Sequence, residues 1–224
     1  PDGLSPAAIL ERISETAHRL VEQQYEVLNG ELLPALLAAG VRLLDSDGWT
    51  ASQGRWLKRY FKSQVLPVLT PVGLDPAHPF PRILNKSLNL VVLLKGRDAF
   101  GREGDMALVR APRSLPRGIR LPAELSDGNQ DFVLLSGVLQ EFVDELFPGM
   151  QVKGSYQFRV TRNSELEVDE DEAENIAHAL KDELQERGFA RAVRLEIADA
   201  MPKATLKLLM ANFAVGEDDV YRCQ

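Results

Sequence analysis

The sequence has one cysteine, Cys223, and three histidines in 224 residues. A lone cysteine excludes an internal disulfide and a zinc site built on cysteine pairs, and it suits a reducing, cytoplasmic setting. No stretch approaches the roughly 20 apolar residues of a membrane span. The start at Pro1 lacks the basic-then-apolar run of a secretory leader. Pro1 stands without an initiator methionine, and the chain stops just after a strand-like VYRC, so both ends read as cut from something longer. Positive charge is in deficit: 26 Lys and Arg against 33 Asp and Glu give a net charge of −7. General nucleic-acid binders are basic, so no nucleic-acid partner is expected. Any polyanion must be met by a local patch. No 20–50-residue repeat and no low-complexity segment is present.

Several chemistries fail on missing residues. Gly96-x4-Gly101 has the spacing of a phosphate-binding loop, but Arg102-Glu103 stand where Lys and Ser/Thr are required, so it reads as a hairpin loop. His18 and His178 lie in helical patterns with no metal-ligand partner at the right spacing. His78 sits among prolines in DPAHPFP; Asp75 could orient it as a nucleophile, but a structural role in a proline-rich corner is the stronger reading. The acids Glu165, Glu167, Asp169, Glu170, Asp171, Glu172 and Glu174 lack the glycine of a calcium loop and suit a helix start, where negative charge meets the helix dipole. Lys153–Phe158 hints at an RNA-recognition strand, but Ser155 stands where its first aromatic belongs. No Ser/His/Asp or Cys/His constellation emerges. We therefore expect no catalytic residue and no metal ligand set within these residues.

What is present is ordinary globular material, 45% hydrophobic and 26% charged, enough for one large domain or one domain with a helical appendage. Ser5-Pro6 opens a helix of about 25 residues carrying Ile9, Leu10, Ile13, Ala17, Leu20, Val21 and Leu28 at helical spacing. Asn29-Gly30 and Pro34 should break or kink it, and Gly40 should close the piece that follows. Val41–Leu44 reads as a short strand and Asp45–Trp49 as a turn. Thr50-Ala51-Ser52-Gln53 is a capping box. The helix it starts places Trp56, Leu57, Tyr60, Phe61 and Val65 on one face and Arg55, Lys58, Arg59 and Lys62 on the other. The cationic face is either a solvated surface or a phosphate-facing patch.

The stretch from Leu66 to Lys95 organises the rest. Its prolines (67, 71, 76, 79 and 81) fix φ and remove backbone donors, so the first half is neither helix nor central strand. Ser87–Lys95, SLNLVVLLK, reads as a strand buried on both faces. Met106–Ala111 is a strand and Pro112–Pro122 is extended and basic. A strand follows over Asp131–Leu135, then a helix capped by Ser136 and stopped at Pro148-Gly149. Gln151–Arg162 is a strand, Asn163-Ser164 a turn, Glu165–Asp169 a returning strand, and Glu172–Arg187 a helix stopped by Gly188. Ala192–Ile197, Lys203–Phe213 and Asp219–Cys223 complete the pattern as strand, helix and strand. The order from Asp131 to Ile197 is the split βαβ arrangement. The fold class is α+β: a two-layer sandwich, an antiparallel or mixed sheet with helices on one face, preceded by an N-terminal helical segment.

Arg82 and Lys86 flank Asn85 at the polar link into the central strand. With Arg110, Arg113, Arg117 and Arg120 they form a patch if the strands pair. Arg159 and Arg162 face opposite sides of a strand, so they share a groove only across a bulge. PVLTP, DPAHPFP and SLNL, together with FRVTRNSELEVDEDEA at Phe158–Ala173, resemble the middle, or head, region of bacterial polyphosphate kinases.

The resemblance covers the whole chain. It implies that residues 1–40 end a helical N-terminal domain and that 41–224 form the head domain. It implies an enzyme, cytoplasmic and oligomeric, that reversibly transfers the terminal phosphate of ATP to inorganic polyphosphate. That enzyme is a phosphoprotein, using magnesium and a phosphohistidine outside these residues. This region would be non-catalytic, a tunnel wall and a dimer contact, with Arg82, Asn85, Lys86 and Asn89 nearest the substrate path. The partners implied are polyphosphate, ATP/ADP and a second copy. The alternative is a stand-alone polyanion-binding or assembly module, with Trp56 and Phe61 as an exposed partner surface.

Overall fold

A computed structural model describes residues 3–75, 78–97, 101, 104–163 and 191–223. The returning strand at 165–169, the helix at 172–187, the acidic run and His178 lie outside the described residues. The described strands are β1 (Val41–Leu43), β2 (Val72–Gly73), β3 (Asn89–Gly96), β4 (Met106–Arg110), β5 (Gly118–Arg120), β6 (Gln130–Leu134), β7 (Met150–Arg162), β8 (Ala192–Ala198) and β9 (Val220–Cys223). The chain divides into two compact units, Pro1–Val68 with Ser114–Phe142, and Leu69–Arg113 with Val143–Gln224.

In the first unit, α1 (Pro6–Val27) starts with the Ser5 hydroxyl accepting from the Ala8 N–H at 3.3 Å and with Pro6 at the first helical position. The expected break at Asn29-Gly30 does not occur. A π-helical turn, Leu28–Leu32, carries the chain into α2 (Leu33–Ala38), and the Leu33 N–H reaches back to the Leu28 carbonyl. Pro34 follows at once; it has no N–H to give, and its ring would press on the carbonyl four residues back. The wider turn accommodates both defects. The same solution recurs after α3 (Ala51–Tyr60), where the π-helical turn Phe61–Val65 bonds Leu66 N–H to the Phe61 carbonyl just before Pro67. Gly40, at φ 76°, closes α2 in the left-handed conformation that glycine adopts without strain. Helix α1 buries none of its side chains, and Ile9, Leu10, Ile13 and Leu20 are exposed.

The first sheet has the order β1-β6-β5, with β1 parallel and β5 antiparallel to β6. Strand β5 lies inside the segment expected only to be extended. The split βαβ arrangement is corrected here: β6 does not join the sheet that holds β7 and β8. The reason is Asp131, fully buried on β6. It sits opposite Arg42 on β1 and accepts from Arg42 Nε at 2.6 Å and from its second guanidinium nitrogen at 2.7 Å. Gln53 Nε2 adds a third bond at 3.1 Å. A buried carboxylate needs such partners, and β1 and α3 supply them. The hydrogen bond to Asp131 in turn raises the Arg42 pKa above its ordinary value. Ser136 is not a cap either. Helix α4 (Leu135–Glu141) springs directly from extended Leu134, and the Leu135 N–H is taken by the Arg117 carbonyl at 2.8 Å. The capping box is made as expected, Gln53 N–H to the Thr50 hydroxyl at 3.2 Å and Thr50 N–H to Gln53 Oε1 at 2.8 Å. Phe61 is fully buried, with its ring 5.6 Å from that of Phe142. The proposed exposed partner surface at Trp56 and Phe61 therefore does not exist in that form.

In the second unit the sheet order is β2-β4-β3-β7-β8-β9; every pairing is antiparallel except β8 with β9. This is the expected α+β fold with a mixed sheet. Strand β3 is central and buried on both faces, as its unbroken apolar run requires. Val91 joins a core with Phe158, Val160, Ile197, Leu209 and Phe213, on which α5 (Lys203–Phe213) packs. Leu90 and Val92, facing the other way, are equally buried. The strand begins at Asn89, two residues later than its apolar pattern suggests, because Ser87 belongs to a turn that shapes the site below.

Candidate functional site

The turn entering β3 is held from three sides, all within the second unit. The Lys86 N–H donates to the Val160 carbonyl at 2.8 Å, extending the β3–β7 ladder past the end of β3. The Leu84 carbonyl accepts from the Ser87 hydroxyl at 2.8 Å. Asn85 makes two longer-range bonds. Its side-chain oxygen accepts the Arg162 N–H at 3.0 Å, and its carbonyl accepts from the Arg113 guanidinium at 2.8 Å. Arg162 Nε donates to the Ile83 carbonyl at 3.2 Å. Lys86 adopts φ 57°, a left-handed conformation that costs a residue with a Cβ about 1 kcal/mol or more. The surrounding bonds hold it there and turn its ammonium outward.

Of the four residues expected nearest the substrate path, Arg82 and Lys86 are exposed and Asn85 is half-buried. Asn89 is fully buried. Its amide donates to the Ser87 carbonyl at 2.8 Å and the Ser87 hydroxyl at 3.2 Å, and its oxygen has no partner among the described residues. Asn89 therefore acts on the turn from beneath. Arg110, opposite Asn89 on β4, and Arg113 are exposed in the same unit. Arg117 and Arg120 belong to the other unit, where β5 pairs with β6, so strand pairing does not bring them to this turn. No acid occurs at 76–97 or at 106–123, so the sequence neighbours of the turn are neutral or cationic.

Arg159 and Arg162 go to different partners. The register does shift between Thr161 and Arg162, yet Arg162 lies 5.8 Å over the Phe213 ring, and burial lowers its pKa. Arg159 crosses to Glu196, Nε at 2.5 Å and a second nitrogen at 2.6 Å, and Arg194 reaches the same carboxylate at 2.8 Å. The Arg194 guanidinium stands 4.0 Å from the Tyr221 ring centroid. Burial pushes the Glu196 pKa up, but the bonds and charges of the two arginines outweigh it, so the pKa lies below the ordinary carboxylate value. Burial raises the Tyr221 pKa. His78 and Asp75 do meet, Nδ1 to Oδ2 at 3.1 Å, both exposed.

The turn displays positive charge on a braced backbone. Guanidinium and ammonium groups so held can donate to phosphate oxygens. The Asn85 bracing could be foreseen only in part: asparagine favours turns, but its long-range bonds to Arg113 and Arg162 leave no local signal.

The family model for the polyphosphate kinase middle domain matches residues 52–224. The chain belongs to the polyphosphate kinase family. It is 58% identical over 223 residues to the polyphosphate kinase of Xylella fastidiosa strain 9a5c, covering 99% of this chain and 32% of that protein. It is 51% identical over 222 residues to that of Burkholderia multivorans, with the same coverage of 99% and 32%. The crystal structure of polyphosphate kinase from Porphyromonas gingivalis shares the fold at a TM-score of 0.75 and 25% identity, over 96% of this chain and 30% of that one. The chain thus spans about a third of the length of the relatives it matches. Among the described residues, no helix is long and apolar enough to cross a membrane.

Proposed function

We propose that these residues are a non-catalytic part of a polyphosphate kinase that, at full length, reversibly transfers the terminal phosphate of ATP to inorganic polyphosphate. The phosphohistidine of that reaction lies outside the chain. Family membership over 52–224 supports this reading most directly. Residues 1–40 then end a helical N-terminal domain, in keeping with the exposed apolar stripe of α1, and 41–224 form the head domain. The head domain contributes a wall of the substrate tunnel and contacts a second copy in a cytoplasmic oligomer. Magnesium is implied for the full-length enzyme. The described residues contain no group of three or more His, Cys, Asp or Glu that could hold an ion.

Arg82 and Lys86 would touch the polyphosphate, while Asn85 and Asn89 set their position. The test uses the full-length enzyme with R82Q/K86Q. Polyphosphate affinity should fall about tenfold, with a shallower dependence on salt, since two phosphate contacts are lost. An affinity and a salt dependence equal to those of the wild type would defeat the assignment.

A further inference from the structure

Helix α3 and the turn after it lie in the longest acid-free run of the sequence, from Gly48 to Leu74, in a chain with 33 acids against 26 Lys and Arg. Arg55, Lys58, Arg59 and Lys62 lie in that run, and all four are exposed. At 3.6 residues per turn they occupy an arc of about 100°. Across the helix from them, Gln53, Leu57 and Phe61 are buried. Arg55 with Arg59 and Lys58 with Lys62 are like-charged pairs at i,i+4, a spacing that destabilises a helix. Cations near a helix C-terminus complement the dipole. That accounts for Lys58 and Arg59, but not for Arg55 or for the missing acids.

The face is held rigidly. The capping box fixes the start of the helix, and Gln53 Nε2 ties it to the Leu125 carbonyl at 2.8 Å and to Asp131 at 3.1 Å. Trp56 stacks on Tyr60, centroids 5.5 Å apart and planes 15° apart, along the border of the cationic arc. From Arg55 to Lys62 the helix rises about 10 Å, which spans several phosphoryl units of an extended polymer.

We propose that this face of α3 binds an extended inorganic polyphosphate chain, with the two guanidiniums and two ammoniums donating to oxygens on successive phosphoryl units. The proposal rests on the polyphosphate kinase reading for the identity of its ligand. Charge complementarity selects the ligand: a flexible, unbranched polyanion can engage four cations in a row without needing a shaped pocket.

The experiment uses the full-length protein and two probes, long-chain polyphosphate and tripolyphosphate, with wild type, R55Q/R59Q and R55K/R59K. In direct titration, R55Q/R59Q should bind the long chain about tenfold more weakly, as expected of two exposed charge contacts. Tripolyphosphate, too short to span the row, should change less, and R55K/R59K should bind the long chain much as wild type does. Unchanged long-chain binding in R55Q/R59Q would overturn the proposal. So would an equal loss for both probes, or equal impairment of R55K/R59K. Because binding is read directly, the result stands whether or not the wild-type protein makes polyphosphate from ATP. Failure of that synthesis would instead overturn the enzymatic reading.

Discussion

Replacing Glu196 with glutamine should destabilise the second unit selectively, because one carboxylate there holds two arginines. Glu196 is 8% exposed and accepts three charged hydrogen bonds of 2.5, 2.6 and 2.8 Å. E196Q keeps the shape but removes the negative charge to which both Arg159 and Arg194 donate. A fully buried pair broken this way costs about 3–5 kcal/mol. The Arg159 side chain is 50% exposed, so water offsets much of its share, and about 2–3 kcal/mol is the expected loss. Hydrogen exchange on the full-length protein reads this locally. Amides of β7 and β8 that exchange through opening of that strand pair should do so about 30- to 150-fold faster, while β1 and β6 amides stay unchanged. The pH dependence has a definite sign. The folded-state pKa of Glu196 is lowered, so its contribution is complete above the ordinary glutamate value of about 4.3 and is lost as pH falls through the lowered value. The difference between wild type and E196Q should therefore close in acid. Equal exchange at neutral pH, or a gap that widens as the pH falls through the acid range, would refute the reasoning.

Phe158→Ala should cost about 3–5 kcal/mol in the same unit, since the ring is 1% exposed and sits 6.0 Å from that of Phe213; exchange in β3 and β7 unaltered by the substitution would contradict that packing. At the turn, K86G removes the same charge as K86Q, but glycine accepts φ 57° without strain. Both single variants should lose polyphosphate affinity equally, with K86G the more heat-resistant in a melting experiment. Retained affinity in K86G would show that backbone placement, and not the ammonium, is what matters.

Elements with local signals were legible. The Ser5-Pro6 start, the capping box at Thr50 and Gln53, and the helix at Lys203–Phe213 each carry their instructions within a few residues. The unbroken apolar run of β3 announces a central strand. What failed depends on partners distant in sequence. Asp131 draws β6 to β1 through Arg42, 89 residues away, and no local pattern reports that choice. Breaks expected at Asn29-Gly30 became a π-helical turn because a continuous helix can absorb a proline by widening one turn. At the site, the cations were visible as residue types. Their exposure was not; the complete burial of Asn89, by contrast, was implicit in a strand read as covered on both faces.

We propose that the full-length protein transfers phosphate through a histidine lying outside these residues. Incubating it with ATP labelled at the terminal phosphate, then mapping the labelled residue, tests this directly. Label is expected on a histidine beyond these 224 residues, and it should chase into polyphosphate when polymer is added. Label on His18, His78 or His178, or label that never reaches polyphosphate, would contradict it.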